Sequence, residues 1–305
     1  MTMAELNGVL RMIPSYIEPL FRPPSEARSL IFQITIGCSQ NSCTFCGMYK
    51  GKRFQIRPMA EILKEIQGIP AIYRPRIDRV FLADGDALVY PFPGLTEILD
   101  RLADTFPNLT RIGAYASPAS LTTKSPEELT ILRGKRLRIL YFGLESGEDA
   151  TLLQINKGFT AEEMAQQALK ARAAGMKLSV TAILGLAGRQ RSLSHARATA
   201  AWVNQVNPEY FSLLTLFHRH NDDFVRTLAQ CTRRELLLEA RELLTHLHPA
   251  RTILRSNHVS NFLNLAGSYP KDRERLIADV DTAMEAAQLR PGFLDSVPAY
   301  AEEYY

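Results

Sequence analysis

Six short apolar runs, each followed by a stretch with helical spacing, constrain this chain more than any other feature of its sequence. The runs are Leu30–Ile36, Arg79–Ala83, Arg111–Ala116, Leu137–Gly143, Lys177–Leu184 and Tyr210–Leu216. Helical segments separate them: Met59–Ile66 behind Pro58, Pro93–Thr105, Pro126–Arg133 behind the cap residue Ser125, Thr160–Ala174 stopped by Gly175, and Ser192–Val206. Strands that alternate with helices pair in parallel through right-handed crossovers, so the pattern predicts an α/β fold of six units, short of an eightfold barrel. Four prolines (Pro14, Pro19, Pro23 and Pro24) make residues 1–28 an irregular N-terminal extension. Beyond Asp222 the pattern turns helical, near Thr232–Leu247 and Lys271–Ala287, with the polar turn Arg255-Ser-Asn-His258 between. The expected organisation is therefore 1–28 extension, 29–220 strand–helix domain and 221–305 helical C-terminal region.

With 305 residues, 46% of them hydrophobic, the chain buries a sizeable core, and its net charge of +4 is spread rather than gathered. That distribution lacks the basic stripe of a duplex binder, so nucleic acid is not indicated as a partner. No apolar run approaches bilayer length and no leader-like order is seen at the start, which predicts a cytoplasmic protein without a membrane partner.

Three of the four cysteines stand in nine residues, Cys38-Ser-Gln-Asn-Ser-Cys43-Thr-Phe-Cys46, directly after the first strand and Gly37. Thiols at such spacing on a loop at a sheet rim form a metal-site pattern. A structural zinc needs four closed ligands, and no second Cys or His couple follows at the expected distance, so zinc is incomplete here. An iron–sulfur cube held by three cysteines leaves one iron open. Cys231 has no neighbouring thiols, which predicts a single centre.

Together with residues at later strand ends, this loop resembles that of the radical S-adenosylmethionine (radical SAM) superfamily over about Leu30–Phe217. The aromatic Phe45 precedes the last cysteine, as in that family, but four residues rather than the usual three fill the first gap. The resemblance implies a partial (β/α)6 TIM-like barrel, one 4Fe–4S cluster on Cys38, Cys43 and Cys46, and S-adenosyl-L-methionine with Phe45 near its adenine. Asp84-Gly85-Asp86 resembles the Gly-Gly-Glu motif that binds the methionine amino group, with Asp86 in the acidic position. Gly143-Leu-Glu-Ser-Gly147 is similar to the segment near the ribose and methionyl end, which makes Glu145 and Ser146 candidates. Lys157 stands where relatives offer a cation to the carboxylate, and Gly185 lies in a segment whose backbone borders adenine. The resemblance implies a radical enzyme that abstracts a hydrogen atom from a small or medium-sized substrate, fed by an external electron donor such as flavodoxin or ferredoxin.

Each of these residues has a plainer reading: Asp86 as a turn cap, Glu145 as a solvated carboxylate, Lys157 as a surface lysine, Gly185 as a turn glycine. His218 and His220, after the sixth strand, are candidate substrate contacts or ordinary loop histidines. Asn257 and His258, in Arg255-Ser-Asn-His-Val-Ser-Asn261, belong either to a polar lid or to ordinary turn chemistry. Two other functions stay open: a non-catalytic iron–sulfur sensor or electron carrier, and a radical enzyme that modifies tRNA.

Overall fold

The first apolar run folds as two strands rather than one. In the computed structural model of the protein, which describes residues 16–217 and 220–298, β1 (Leu30–Gln33) joins the main sheet. After Ile34 the chain leaves it, and β2 (Thr35–Ile36) pairs antiparallel with β3 (Gln55–Ile56). The remaining elements follow the expected alternation. They are α1 (Met59–Gly68), β4 (Arg79–Ala83), α2 (Phe92–Thr105), β5 (Arg111–Ala116), α3 (Pro118–Thr122), α4 (Pro126–Gly134) and β6 (Leu137–Glu145). Then come α5 (Asp149–Gln154), α6 (Ala161–Ala173), β7 (Lys177–Leu184), α7 (Gly188–Val206), β8 (Tyr210–Thr215), α8 (Asp222–Thr227) and α9 (Arg233–His246), followed by β9 (Thr252–Arg255), β10 (Ala266–Tyr269) and α10 (Arg273–Gln288). The result is a mostly parallel sheet of eight strands alternating with helices, the α/β class expected.

The chain clusters into two units, one of the described residues up to Asn41 with Tyr49–Phe142 and Gln167–Leu178, the other of Ser42–Met48, Gly143–Gln166 and the described residues from Ser179 on. In the first unit β1, β4, β5 and the start of β6 pair in parallel. Their residues are almost uniformly buried, as befits parallel strands covered on both faces. Because the strands run parallel, the residues just after β2, β4 and β5 come to one edge, where α/β proteins bind ligands. Glu26 closes the opposite side: fully buried, it accepts bonds from Arg111 (2.7 Å) and Tyr141 (2.5 Å).

In the second unit β7 pairs with β8 and β8 with β9 in parallel, and β10 returns antiparallel to β9. The C-terminal region thus contains the expected helices and also two four-residue strands that lengthen the sheet. Helix α9 lies along α7 and α10 lies on α9, joined by Arg189–Glu235 (2.8 Å) and Arg241–Asp281 (2.6 Å). Among the described residues no helix is long and apolar enough to cross a membrane.

Candidate functional site

Cys38 sits where β2 ends, in the first unit, and Asp84-Gly85-Asp86 follows β4 beside it. The Cys38 thiol faces the Gly85 carbonyl at 3.8 Å. A Cβ on Gly85 would lie 2.6 Å from the Tyr49 ring and 2.9 Å from the Cys38 Cβ, so only glycine lets this backbone approach the cysteine. The two flanking aspartates do separate jobs. Asp84, fully buried, accepts at Oδ2 from Lys52 (2.8 Å), Gln33 (3.1 Å) and the Gly37 N–H (3.0 Å), and so fixes the turn that delivers Cys38. Lys52 also donates to the carbonyls of Ile17 and Pro19, tying the described part of the N-terminal extension to the same point.

Asp86 is equally buried and grips the cysteine loop through the Ser39 hydroxyl. It accepts as well from the Ser117 N–H (3.0 Å) and hydroxyl (2.6 Å) at the end of β5. Ser117 meanwhile caps α3 in a capping box with Ser120. Asp86 is thus a knot between loop and strand end, with one of a carboxylate's roughly four acceptor sites still uncommitted.

Cys43 and Cys46 belong to the second unit, where α5 and its C-terminal turn hold them. The Thr44 N–H donates to the Ile155 carbonyl (3.0 Å), and Asn156 donates to the Ser42 carbonyl (3.2 Å). The Phe45 carbonyl accepts from Asn221 (2.7 Å), a buried residue at the start of α8. Burial pushes the Cys46 thiol up to about 11, with Cys43 and Glu145 adding to the rise and Lys157 opposing it. Lys157 pairs with Glu145 at 3.1 Å, both side chains largely shielded. Ser146, one residue on, is buried and lies 2.8 Å from His195 Nδ1. The Gly185 N–H, after β7, donates to the buried carboxylate of Glu239 (2.9 Å).

The segment Ser256–Asn261 folds against the end of β8. Ser260 accepts from the Thr215 N–H (3.1 Å), Thr215 donates to Asn261 (2.7 Å), and Asn261 donates to the Leu213 carbonyl (2.7 Å). His258 stacks beside Phe217, with centroids 6.1 Å apart, and lies 2.8 Å from Ser260; burial lowers its pKa. Asn257 is exposed, as is His220, which adopts a left-handed backbone (φ 51°). His218 lies outside the described residues.

Lys52, Ser117, Asn221, His195 and Glu239 escaped the sequence reading. Ser117, ahead of Pro118 with Ser120 three on, carries a cap signature that points to it; the others act over long sequence separations that leave no local signal.

The residues present fit an iron–sulfur cluster. All four cysteines are free of disulfides, Cys38 and Cys46 are half-buried, and Gly85 leaves a cradle beside Cys38. A thiol raised by burial, as Cys46 is, needs a metal to stand as thiolate. Among the described residues no group of three or more His, Cys, Asp or Glu side chains is placed to hold a metal ion. Buried Cys231, pushed up to about 12 by desolvation, behaves as a core thiol.

The Radical SAM superfamily domain matches residues 32–194, more than half of the chain. A provisionally named methylthiotransferase of Methanocaldococcus jannaschii is 22% identical over 183 residues, 57% of this chain and 38% of that protein. Among solved structures, coproporphyrinogen III oxidase (HemN) from Escherichia coli, described as a radical SAM enzyme, superposes with a TM-score of 0.56 at 17% identity. It covers 80% of this chain and 56% of its own. Methylornithine synthase (PylB) gives 0.50 at 12% identity, over 98% and 94%. At these identities the structural likeness shows the fold, the partial TIM-like barrel. The chain spans about 38% of the length of the curated relative and 56% of HemN.

Proposed function

The chain belongs to the radical SAM superfamily, and from that premise we propose that it cleaves S-adenosylmethionine reductively at a single 4Fe–4S cluster and uses the 5'-deoxyadenosyl radical to take a hydrogen atom from a small or medium-sized substrate. In this reading Cys38, Cys43 and Cys46 hold the cluster. Phe45 packs by the adenine, and the Gly185 backbone borders it. Asp86 offers its uncommitted lone pair to the methionine amino group while it keeps the loop in place through Ser39. Lys157, shielded and paired with Glu145, is the cation that meets the methionine carboxylate. Glu145 and Ser146 serve the ribose and methionyl end.

Residues 29–220 constitute the radical domain, with residues 1–28 an extension that Lys52 anchors in part. Residues 221–305 are the C-terminal region, and His218, His220, Asn257 and His258 are the candidate substrate contacts. An external donor such as flavodoxin or ferredoxin supplies the electron. One observation carries the reading: Gly85, unable to accept a Cβ, brings the strand-end motif into contact with Cys38.

The test is anaerobic. Protein reconstituted with iron and sulfide is reduced, given S-adenosylmethionine, and assayed for 5'-deoxyadenosine by chromatography with mass detection. The expected result is product that disappears in Cys38→Ala, Cys43→Ala and Cys46→Ala but persists in Cys231→Ala. A reducible cluster that gives no product and no spectral response to S-adenosylmethionine would replace this reading with that of an electron carrier or sensor.

A further inference from the structure

A fully buried carboxylate on a packing helix calls for a reason. Glu239 lies on the face of α9 that also carries Leu236, Ala240 and Leu243, all buried. An apolar side chain of similar volume serves packing at least as well, because a buried charge loses its hydration. What Glu239 supplies instead is direction. Its Oε1 accepts from the Gly185 N–H (2.9 Å), and its Oε2 lies 2.5 Å from the Ser192 hydroxyl. Oε1 is also 3.5 Å from His195 Nε2, and the opposite ring nitrogen lies 2.8 Å from the Ser146 hydroxyl. Ser146 in turn accepts from the Glu148 N–H at 2.9 Å.

Hydrogen bonds from this buried cluster thus reach two strand-end segments, one after β6 (His195 with Ser146) and one after β7 (Glu239 with Gly185), while Glu239 and His195 lie side by side without a hydrogen bond between them. Gly185 is pressed against the same helix from a second side: its φ is +78°, and a Cβ there would lie 2.9 Å from Leu236 Cδ2. The Glu239 bond to its N–H thus anchors a left-handed turn that packs beside Leu236.

We propose that Glu239 and His195 are positioning residues for S-adenosylmethionine: Glu239 sets the Gly185 backbone and His195 sets the Ser146 hydroxyl, so that helix α9 is a working part of the cosubstrate site. The inference rests on the functional reading above, in which Gly185 and Ser146 border that ligand. Sites of this kind gain affinity when supporting bonds fix the contacting groups before the ligand arrives.

The state of the pair reinforces the geometry. Burial pushes Glu239 up to about 7 and His195 down to about 4, so both are neutral in mildly acidic solution and Glu239 ionises as neutrality is passed. The charged or titratable groups around them are Glu148, which raises both, Arg191, which lowers His195, and Cys231, whose own thiol is raised by Glu239, with Glu235 and Arg189 beyond. An ionised carboxylate is acceptor-only and makes the stronger, shorter bond to a backbone N–H. Gly185 is therefore held most firmly above the Glu239 transition.

The experiment uses the reconstituted holoprotein and measures S-adenosylmethionine binding at equilibrium from the change in the cluster's spectrum, between pH 6 and 8. Wild type, Glu239→Gln and His195→Gln are compared, with iron content and thermal midpoint recorded for each. Glu239→Gln is expected to keep its iron and weaken binding on the order of tenfold, and to lack the wild type's tightening through about pH 7. Titration of the ligand's own amino group is common to both proteins and cancels in the comparison. Should Glu239→Gln fail to fold, Ser192→Ala removes one partner of the same carboxylate and is expected to give a smaller shift in the same direction. Equal affinities and superimposable pH profiles for wild type and variants overturn the inference while leaving the functional reading intact. A loaded wild type that does not respond to S-adenosylmethionine at any pH overturns both.

Discussion

A methyl group at position 85 has nowhere to go. Gly85→Ala places its Cβ against the Tyr49 ring and the Cys38 Cβ, neither of which is a flexible chain end. Overpacking of this kind costs about 1–3 kcal/mol, and here the strain falls on a cysteine that the cluster needs. The expected outcome is reduced iron loading per protein after reconstitution, with partial recovery when Tyr49→Ala makes room. Full loading in Gly85→Ala alone would mean that the crowding around Cys38 is unimportant. The three clustered cysteines and the Asp-Gly-Asp turn were legible in the sequence because their meaning is local, a matter of spacing and of position after a strand. Lys52, Asn221 and Glu239 were not. Lys52 reaches Asp84 across 32 residues and Asn221 reaches Phe45 across 176, and a lysine or asparagine that will be buried looks the same in a sequence as one that will not.

Elements were legible wherever periodicity and caps agreed. Strands β4, β5 and β7 have the expected bounds, and the Ser125 capping box begins α4 where the sequence places it. Prediction failed where a strand is too short to show a period: the two-residue β2, and β9 and β10 in a region whose long helices dominate the pattern. It also missed α3 and α5, helices of five and six residues, too short to show a period; α3 is held by the Ser117 capping box, whereas α5 has no side-chain cap. The two serine caps allow a clean comparison. Ser125→Ala removes only a cap and should cost about 1 kcal/mol in urea unfolding, with iron loading unchanged. Ser117→Ala removes a similar cap from α3 and also both bonds its side chain makes to Asp86 and Ser120, so it should lower iron loading as well. Equal loading in the two variants would show that Asp86 holds the cysteine loop without help from β5.

For the folded chain as a whole, the buried Glu239–His195 pair makes a sign prediction. Glu239 has its folded pKa raised to about 7, above its ordinary carboxylate value, so its neutral form stabilises the fold at low pH and that contribution is lost as pH rises toward 7. His195 has its folded pKa lowered to about 4, so its contribution is present above its ordinary value and is lost as pH falls toward 4. Between these limits the unfolded chain carries one proton on the histidine and none on the carboxylate, while the folded chain carries one on the carboxylate and none on the histidine. Proton numbers match, and the two slopes, each up to about 1.4 kcal/mol per pH unit, largely cancel in the wild type. Removing either residue uncovers the other. Relative to wild type, Glu239→Gln should lose most stability at acid pH and recover as pH rises through 5 to 7. His195→Gln should show the reverse, its deficit growing over the same rise. Urea unfolding of both variants across that range decides the matter, since every other titrating group is common to the three proteins and drops out of the differences. Difference curves of opposite slope establish a neutral buried pair. Flat curves would show that the two residues exchange no proton with solvent on folding, and curves of the same slope would equally rule out a neutral pair.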